Sequence, residues 1–245
     1  MRTLSIGPLT CRVLGAVEGV KPNAAVVLCH GFGAGGDDLV PLGRELLRQH
    51  PTWLGTTWLV FPEAPLTLEQ LGMPGARAWW YLDMERINAA MNHGRMLELS
   101  QEEPDGMAAA RKLLTRTLNS LLATTGLPMQ QVVVGGFSQG AMLATDTVLR
   151  LEEAPAALAI MSGTLVAQTV WRPRAERRRT MPTLIAHGTQ DSVLPFFGAE
   201  ALRDCFTEAG WQHIDFAPFD DGHTIAPVAL AWLAKQVQRL HGDGA

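Results

Sequence analysis

Cysteine is scarce in this chain of 245 residues: there are three, Cys11, Cys29 and Cys205, and no C-x-x-C pair. An odd count without ligand spacing excludes a disulfide framework and a zinc site as organising themes, and makes a reducing compartment the expectation. Charge is sparse too. Only 18% of residues are charged, and 20 basic against 24 acidic side chains leave a formal net charge of −4, without the basic excess of a nucleic-acid binder. No run approaches the ~20 apolar residues of a membrane-spanning helix. Gly7 and Pro8 break the N-terminal stretch before it reaches signal-peptide length. Repeats and low-complexity segments are also missing. What remains is the expectation of a soluble, cytoplasmic protein with a small-molecule partner, no nucleic acid and no stable membrane insertion, with monomer and homodimer both open.

Against these absences, 47% of the residues are hydrophobic, enough for a sizeable core. Short apolar runs alternate with longer amphipathic ones, the pattern of β-α units around a mostly parallel central sheet with helices on both faces. Strands are expected near residues 11–16, 25–29, 56–61, 131–135, 156–161, 183–187 and 212–217. Helices are expected over 38–49, 105–124, 140–151, 197–209 and 226–240. Gly126 and Gly210 follow two of these helices, where a left-handed cap is anticipated. A single domain over 1–245 fits this order.

One connection breaks the rhythm, because about forty residues intervene between Phe61 and Pro104 where a handful is normal. This excursion, at about 62–104, holds Trp79, Trp80, Tyr81 and a group of methionines, with Met84, Ile87 and Met91 at helical spacing. Two readings stand: a packed excursion whose methionines fill gaps in the core, or a cover over the site. In the second, Trp79, Trp80 and Met84 line an apolar pocket.

The most informative segment runs from Gln131 to Ala144. A β-rich stretch enters G-x-S-x-G (Gly136, Phe137, Ser138, Gln139, Gly140) and a helical one leaves it. That context matches the nucleophile elbow of the α/β-hydrolase fold, in which the flanking glycines remove Cβ atoms that would collide at a sharp strand-to-helix turn. A serine hydroxyl needs an imidazole to take its proton and an acid to fix the imidazole tautomer. Of seven histidines, His50, His93, His213 and His241 lie in ordinary structural contexts, and His30 and His187 precede glycines at strand ends, where they shape turns. His223 stands in a loop between the last strand and the last helix and is the preferred base. Asp191, in the loop after T-L-I-A-H-G, is the preferred acid over Asp220 and Asp221, giving the chain order serine, acid, histidine.

An acyl-transfer oxyanion needs two backbone N–H donors, one from the residue after the nucleophile and one from an earlier strand-end loop. Gln139 supplies the first and Phe32, within the glycine-rich loop after the second expected strand, the second. The same loop satisfies G-x-G-x-x-G at Gly31, Gly33 and Gly36, with Glu63 near the end of the next strand, so a dinucleotide-binding oxidoreductase is the alternative from another class. Asp37 and Asp38 at the helix start oppose it by repelling a pyrophosphate. A non-catalytic binding module on the same fold is the third reading. The arginine-rich stretch 172–179 reads as a solvated loop, or as an anion-attracting one.

The residues H-G-F-G-A-G-G-D-D-L (His30 to Leu39), F-P-E-A-P (Phe61 to Pro65), R-A-W-W-Y-L-D (Arg77 to Asp83), G-F-S-Q-G-A-M (Gly136 to Met142), H-G-T-Q-D-S-V-L-P (His187 to Pro195) and D-G-H-T-I (Asp221 to Ile225) resemble the phospholipase/carboxylesterase family of α/β-hydrolases, which includes acyl-protein thioesterases and bacterial carboxylesterases. The resemblance implies a serine esterase with Ser138, Asp191 and His223 as triad, the amides of Phe32 and Gln139 as oxyanion hole, and no metal or organic cofactor. It implies a carboxylic ester or lysophospholipid as substrate, with a thioester as the alternative. The aromatic segment is longer than the family's usual R-A-W-[FY]-D, and Met84 to Glu103 match poorly. The acyl pocket is the part that transfers least.

Overall fold

The computed structural model describes residues 1–93 and 96–242, apart from the side chains of Met84, Asn88, Met91, Asn92, Met96 and Leu97. In chain order its elements are β1 (Arg2–Ile6), β2 (Leu9–Leu14), β3 (Ala24–Cys29), α1 (Val40–Gln49), β4 (Thr57–Pro62), β5 (Leu66–Thr67), β6 (Arg77–Ala78), α2 (Met84–Asn92), α3 (Met96–Leu99), α4 (Met107–Thr125), β7 (Val132–Phe137), α5 (Gln139–Arg150), β8 (Ala157–Met161), α6 (Gln168–Ala175), β9 (Thr183–Gly188), α7 (Phe196–Glu208), β10 (Ile214–Phe219) and α8 (Pro227–His241).

Eight strands form one sheet in the order β1-β2-β4-β3-β7-β8-β9-β10. The pairs β1/β2 and β2/β4 are antiparallel, and from β4 to β10 every neighbour is parallel. This is the α/β-hydrolase architecture that the β-α rhythm and the serine turn led us to expect. All six residues of β3 are buried, as suits a central strand covered on both faces. Their alternation divides the core: Ala25, Val27 and Cys29 join the cluster packed by α4 to α7, whereas Val26 and Leu28 join the one packed by α1 and α8. Because the parallel strands share a direction, the loops after β3, β7, β9 and β10 meet at one sheet edge, where such folds bind ligands. No described helix is long and apolar enough to cross a membrane.

Gly126 and Gly210 take φ of +76° and +81° after α4 and α7, as their positions suggested. One strand was not anticipated, and one expectation needs correction. Residues 2–6 form an edge strand that is exposed over most of its length, so they carry no apolar run by which to find them. The arginine-rich stretch is no solvated loop: it begins inside α6, where Trp171 is fully buried and its indole N–H donates to Asp146 Oδ1 at 2.9 Å. Arg178 is buried, donating to the carbonyls of Val148, Leu151 and Glu152, and Arg172 pairs with Glu208 at 3.0 Å. Of these two guanidinium groups, that of Arg178 is an internal tie between α5 and the stretch after α6, whereas the Arg172–Glu208 pair lies at the surface. Within the excursion, β5 and β6 form a short antiparallel ladder, followed by α2 and α3.

Candidate active site

Ser138 joins β7 to α5 with φ 54° and ψ −121°, a region that a residue with a side chain occupies only when its surroundings over-determine it. Packing supplies that constraint. A Cβ on Gly136 would lie 2.4 Å from the carbonyl carbon of Gly140, and one on Gly140 only 2.1 Å from Cys29 O. The Ser138 N–H donates to Met161 O at 2.9 Å, and the residue borders a cavity of about 720 Å³ together with His223.

His223 Nε2 lies 2.9 Å from Ser138 Oγ, and its Nδ1 lies 2.6 Å from Asp191 Oδ2. Its loop is fixed from below. The hydroxyl of Ser162, a fully buried residue at φ +47°, donates to Thr224 O at 2.8 Å, and Gly188 approaches so closely that a Cβ there would sit 2.2 Å from Gly222 O. Asp191 is 6% exposed. Its Oδ1 accepts the N–H groups of Val193 and Leu194, each at 2.8 Å, which leaves Oδ2 for histidine. Asp220 instead accepts from Gln190 at 2.6 Å and Asp221 from the N–H of Gly222 at 2.7 Å. The structure thus brings Ser138, His223 and Asp191 together and turns the two rival carboxylates elsewhere.

Phe32 and Gln139 border the same cavity. As the first residue of α5, Gln139 has an N–H without an intrahelical acceptor. The loop bearing Phe32 is zipped to the excursion, with Gly33 N–H donating to Arg77 O at 2.8 Å and Arg77 N–H to Ala34 O at 3.2 Å. His30, 2% exposed, accepts the N–H of Ala64 at Nε2 (3.0 Å), so its Nδ1–H donates to Gly31 O (2.9 Å). Burial pushes this imidazole below its ordinary value.

The side chain of Gln139 is a feature that residue patterns had not indicated. Its Oε1 accepts the N–H of Trp79 and its Nε2 donates to Trp80 O, both at 2.9 Å. The partners lie some 60 positions away, so no local signal announces them. Trp80 is 2% exposed and borders the cavity. Trp79 does not: it is 1% exposed, and its indole N–H donates to His30 O at 2.9 Å. With its polar handle satisfied by the His30 carbonyl, Trp79 braces the loop that bears Phe32 from behind the wall. Met84 opens α2, and its side chain lies outside the described residues. Leu82, Ile87, Met142, Leu165 and Leu194 add apolar surface to the cavity, while Asp83, Arg86 and Glu102 lie at its polar side. His187, assigned by sequence to turn-shaping, lies instead beside Asp191, four residues before it.

The dinucleotide reading fails on Glu63. A free acid should await a ribose, but Glu63 pairs with Arg12 and Arg77, each at 3.0 Å. It also fills the space beside Gly36, where a Cβ would lie 2.7 Å from it.

Known proteins resemble this chain over most of its length. The profile of the Phospholipase/Carboxylesterase family matches residues 16–241. Acyl-protein thioesterase 1 of Eremothecium gossypii is 28% identical over 209 residues, covering 84% of this chain and 83% of that protein. Among solved structures, esterase PE8 superposes with a TM-score of 0.76 at 31% identity, covering 95% of this chain and 99% of that one. A carboxylesterase from Mesorhizobium loti shares the fold, with a TM-score of 0.71 over 98% of both chains at 21% identity.

Proposed function

The chain belongs to the phospholipase/carboxylesterase family of esterases and thioesterases, and from that premise we propose that it hydrolyses carboxylic esters through an acyl-enzyme on Ser138. The observation that carries this is the continuous relay from Ser138 Oγ through His223 to Asp191, at 2.9 and 2.6 Å, opening onto the cavity. His223 Nε2 takes the hydroxyl proton as Oγ attacks the acyl carbon, while the Nδ1–H stays on Asp191 and fixes the tautomer. The oxyanion rests on the N–H groups of Phe32 and Gln139, each worth about 3 kcal/mol in the transition state, or about a hundredfold in rate. As the intermediate collapses, the ester C–O bond breaks and the alcohol leaves with the proton from Nε2. Water then attacks the acyl carbon while giving a proton to Nε2, and as the acyl carbon–Oγ bond breaks Nε2 passes that proton to Oγ, restoring the hydroxyl and releasing the acid. Protein groups perform every proton transfer, so the scheme calls for no metal or organic cofactor.

The chain 1–245 acts in this proposal as one catalytic domain, and the excursion at 62–104 forms the wall that selects the substrate. Curated relatives bear the name acyl-protein thioesterase 1, which makes a thioester the second reading, since the same relay serves a thiol leaving group. A fluorophosphonate probe tests the chemistry: stoichiometric labelling at Ser138, lost in Ser138→Ala, is expected, and a wild-type enzyme that takes no label overturns it. Matched oxygen and thiol esters of graded acyl length then separate the two readings by kcat/KM.

A further inference from the structure

Two histidines face one carboxylate, the part-exposed His223 and the buried His187, and the relay uses only the first. His187, near the end of β9, is fully buried, and its ring centroid lies 6.1 Å from that of Phe196 on α7. Its Nε2 is 2.8 Å from Leu194 O and 3.2 Å from Asp191 Oδ2. A carbonyl oxygen has no proton to offer, so Nε2 carries the hydrogen and directs it at both acceptors. The Nδ1 atom is buried without a hydrogen-bond partner. The ring therefore works through Nε2 alone.

These contacts close a cycle. His187 Nε2–H donates to Leu194 O, Leu194 N–H donates to Asp191 Oδ1, and Asp191 Oδ2 faces His187 Nε2. The two amide donors on Oδ1 tether one carboxylate oxygen but leave the other with His223 as its main partner, and that ring must gain and release a proton in every turnover. His187 sits on a buried strand and gives Oδ2 a second reference point besides His223.

We infer that His187 is a positioning residue for the hydrolysis: its Nε2–H holds Asp191 so that Oδ2 stays aimed at His223 Nδ1 throughout the proton cycle. The inference rests on the triad proposed above. The titratable groups placed against His187 are Asp191 and, through that carboxylate, His223. A second donor on Oδ2 also competes with His223 for the same lone pairs, and its removal lets the carboxylate favour the imidazolium more strongly.

The test compares His187→Met, which keeps bulk without a donor, with His187→Gln, whose side-chain N–H reaches about as far as Nε2. Each is normalised to Ser138 sites titrated with the fluorophosphonate probe. His187→Met should lower kcat about tenfold with KM nearly unchanged, and should move the acid limb of the kcat/KM profile upward by about half a pH unit. His187→Gln should recover both. Unchanged kcat and acid limb in a folded His187→Met protein overturn the inference. So does an equal loss in both variants with the acid limb unmoved, which makes the ring a packing element. Should His187→Met not fold, His187→Asn takes its place, because its amide ends at the Nδ1 position and falls short of Oδ2. Labelled wild-type Ser138 together with unaffected His187 variants defeats this inference alone, whereas unlabelled wild-type Ser138 defeats the triad itself.

Discussion

The cavity has two unlike walls. At the sheet edge, Ser138, Asp191 and His223 stand in the strand-to-helix connections after β7, β9 and β10, and each connection is fixed by hydrogen bonds to backbone or by glycines that leave no room to shift. Opposite, the excursion contributes short helices and exposed polar contacts such as Arg86–Glu102, whose side chains are 53% and 60% exposed. A pair of that kind contributes ~0–1 kcal/mol. Under the proposed function the difference teaches a division of labour: reacting groups need placement to a fraction of an ångström, which a packed sheet edge provides, whereas a wall of short helices and exposed pairs does not have to meet that demand.

The largest test of that division is at the edge. Asp191→Asn should keep the fold and lower kcat by about 10⁴, the scale set by the corresponding change in a serine protease. A loss of only a few-fold in steady-state assays would erase the contrast between the walls. Next comes the support beneath both. Asp146 is fully buried on α5 and bonded to Arg111, Arg150 and the indole of Trp171, while Glu103, which borders the cavity, pairs with the same two arginines. Removing one partner of a buried ionic group leaves charges uncompensated. Asp146→Ala should therefore cost about 3–5 kcal/mol in denaturant unfolding, with catalytic constants per folded molecule falling far less than in Asp191→Asn.

Gln139 joins the two walls, so its substitution measures how separable they are. Losing both bonds to the Trp79–Trp80 backbone frees the strap behind the Phe32 loop, and in the proposed reaction a displacement near 1 Å costs on the order of a hundredfold. Gln139→Ala should lower kcat by about that factor on every ester tested. A change confined to long-chain substrates would instead assign the residue to the selective wall alone.

Much of the sheet edge was legible in the sequence because its elements obey local rules. Apolar runs marked β3, β7 and β9 to within about two residues, and G-F-S-Q-G between a strand and a helix located the turn at Ser138. The other wall was harder to read. Trp79 and Trp80 are adjacent aromatics, and only the fold decides that one braces a loop and the other faces the cavity. Helix α6 contains Pro173 and two arginines, and is secured by one buried tryptophan whose partner lies on α5. Strand β1 has little apolar content because it sits at the sheet's edge. In each case tertiary contact overrides local pattern.

The edge should also be the acid-sensitive wall. His30 has a lowered value in the folded protein, so the unfolded chain takes up its proton first. Its contribution to stability is present above the ordinary value of 6.5 and is lost as pH falls from there through the lower folded value. Thermal midpoints should therefore decline below about pH 6.5, and His30→Gln should flatten that slope. An unchanged slope would remove His30 as its source.

The smallest effect should belong to the selective wall. Ile87 lies on α2, half-buried and bordering the cavity, so Ile87→Ala enlarges the pocket without touching the relay. One or two methylenes in an apolar pocket discriminate by roughly tenfold to a hundredfold, and an exposed wall should fall at the low end. The ratio of kcat/KM for long over short acyl esters should rise about tenfold while kcat on the short ester holds. Trp79→Phe is the informative partner: it leaves His30 O without its indole donor and should depress all substrates alike. If Ile87→Ala also depressed them all, the excursion would be part of the catalytic frame, and the two walls would have to be treated as one.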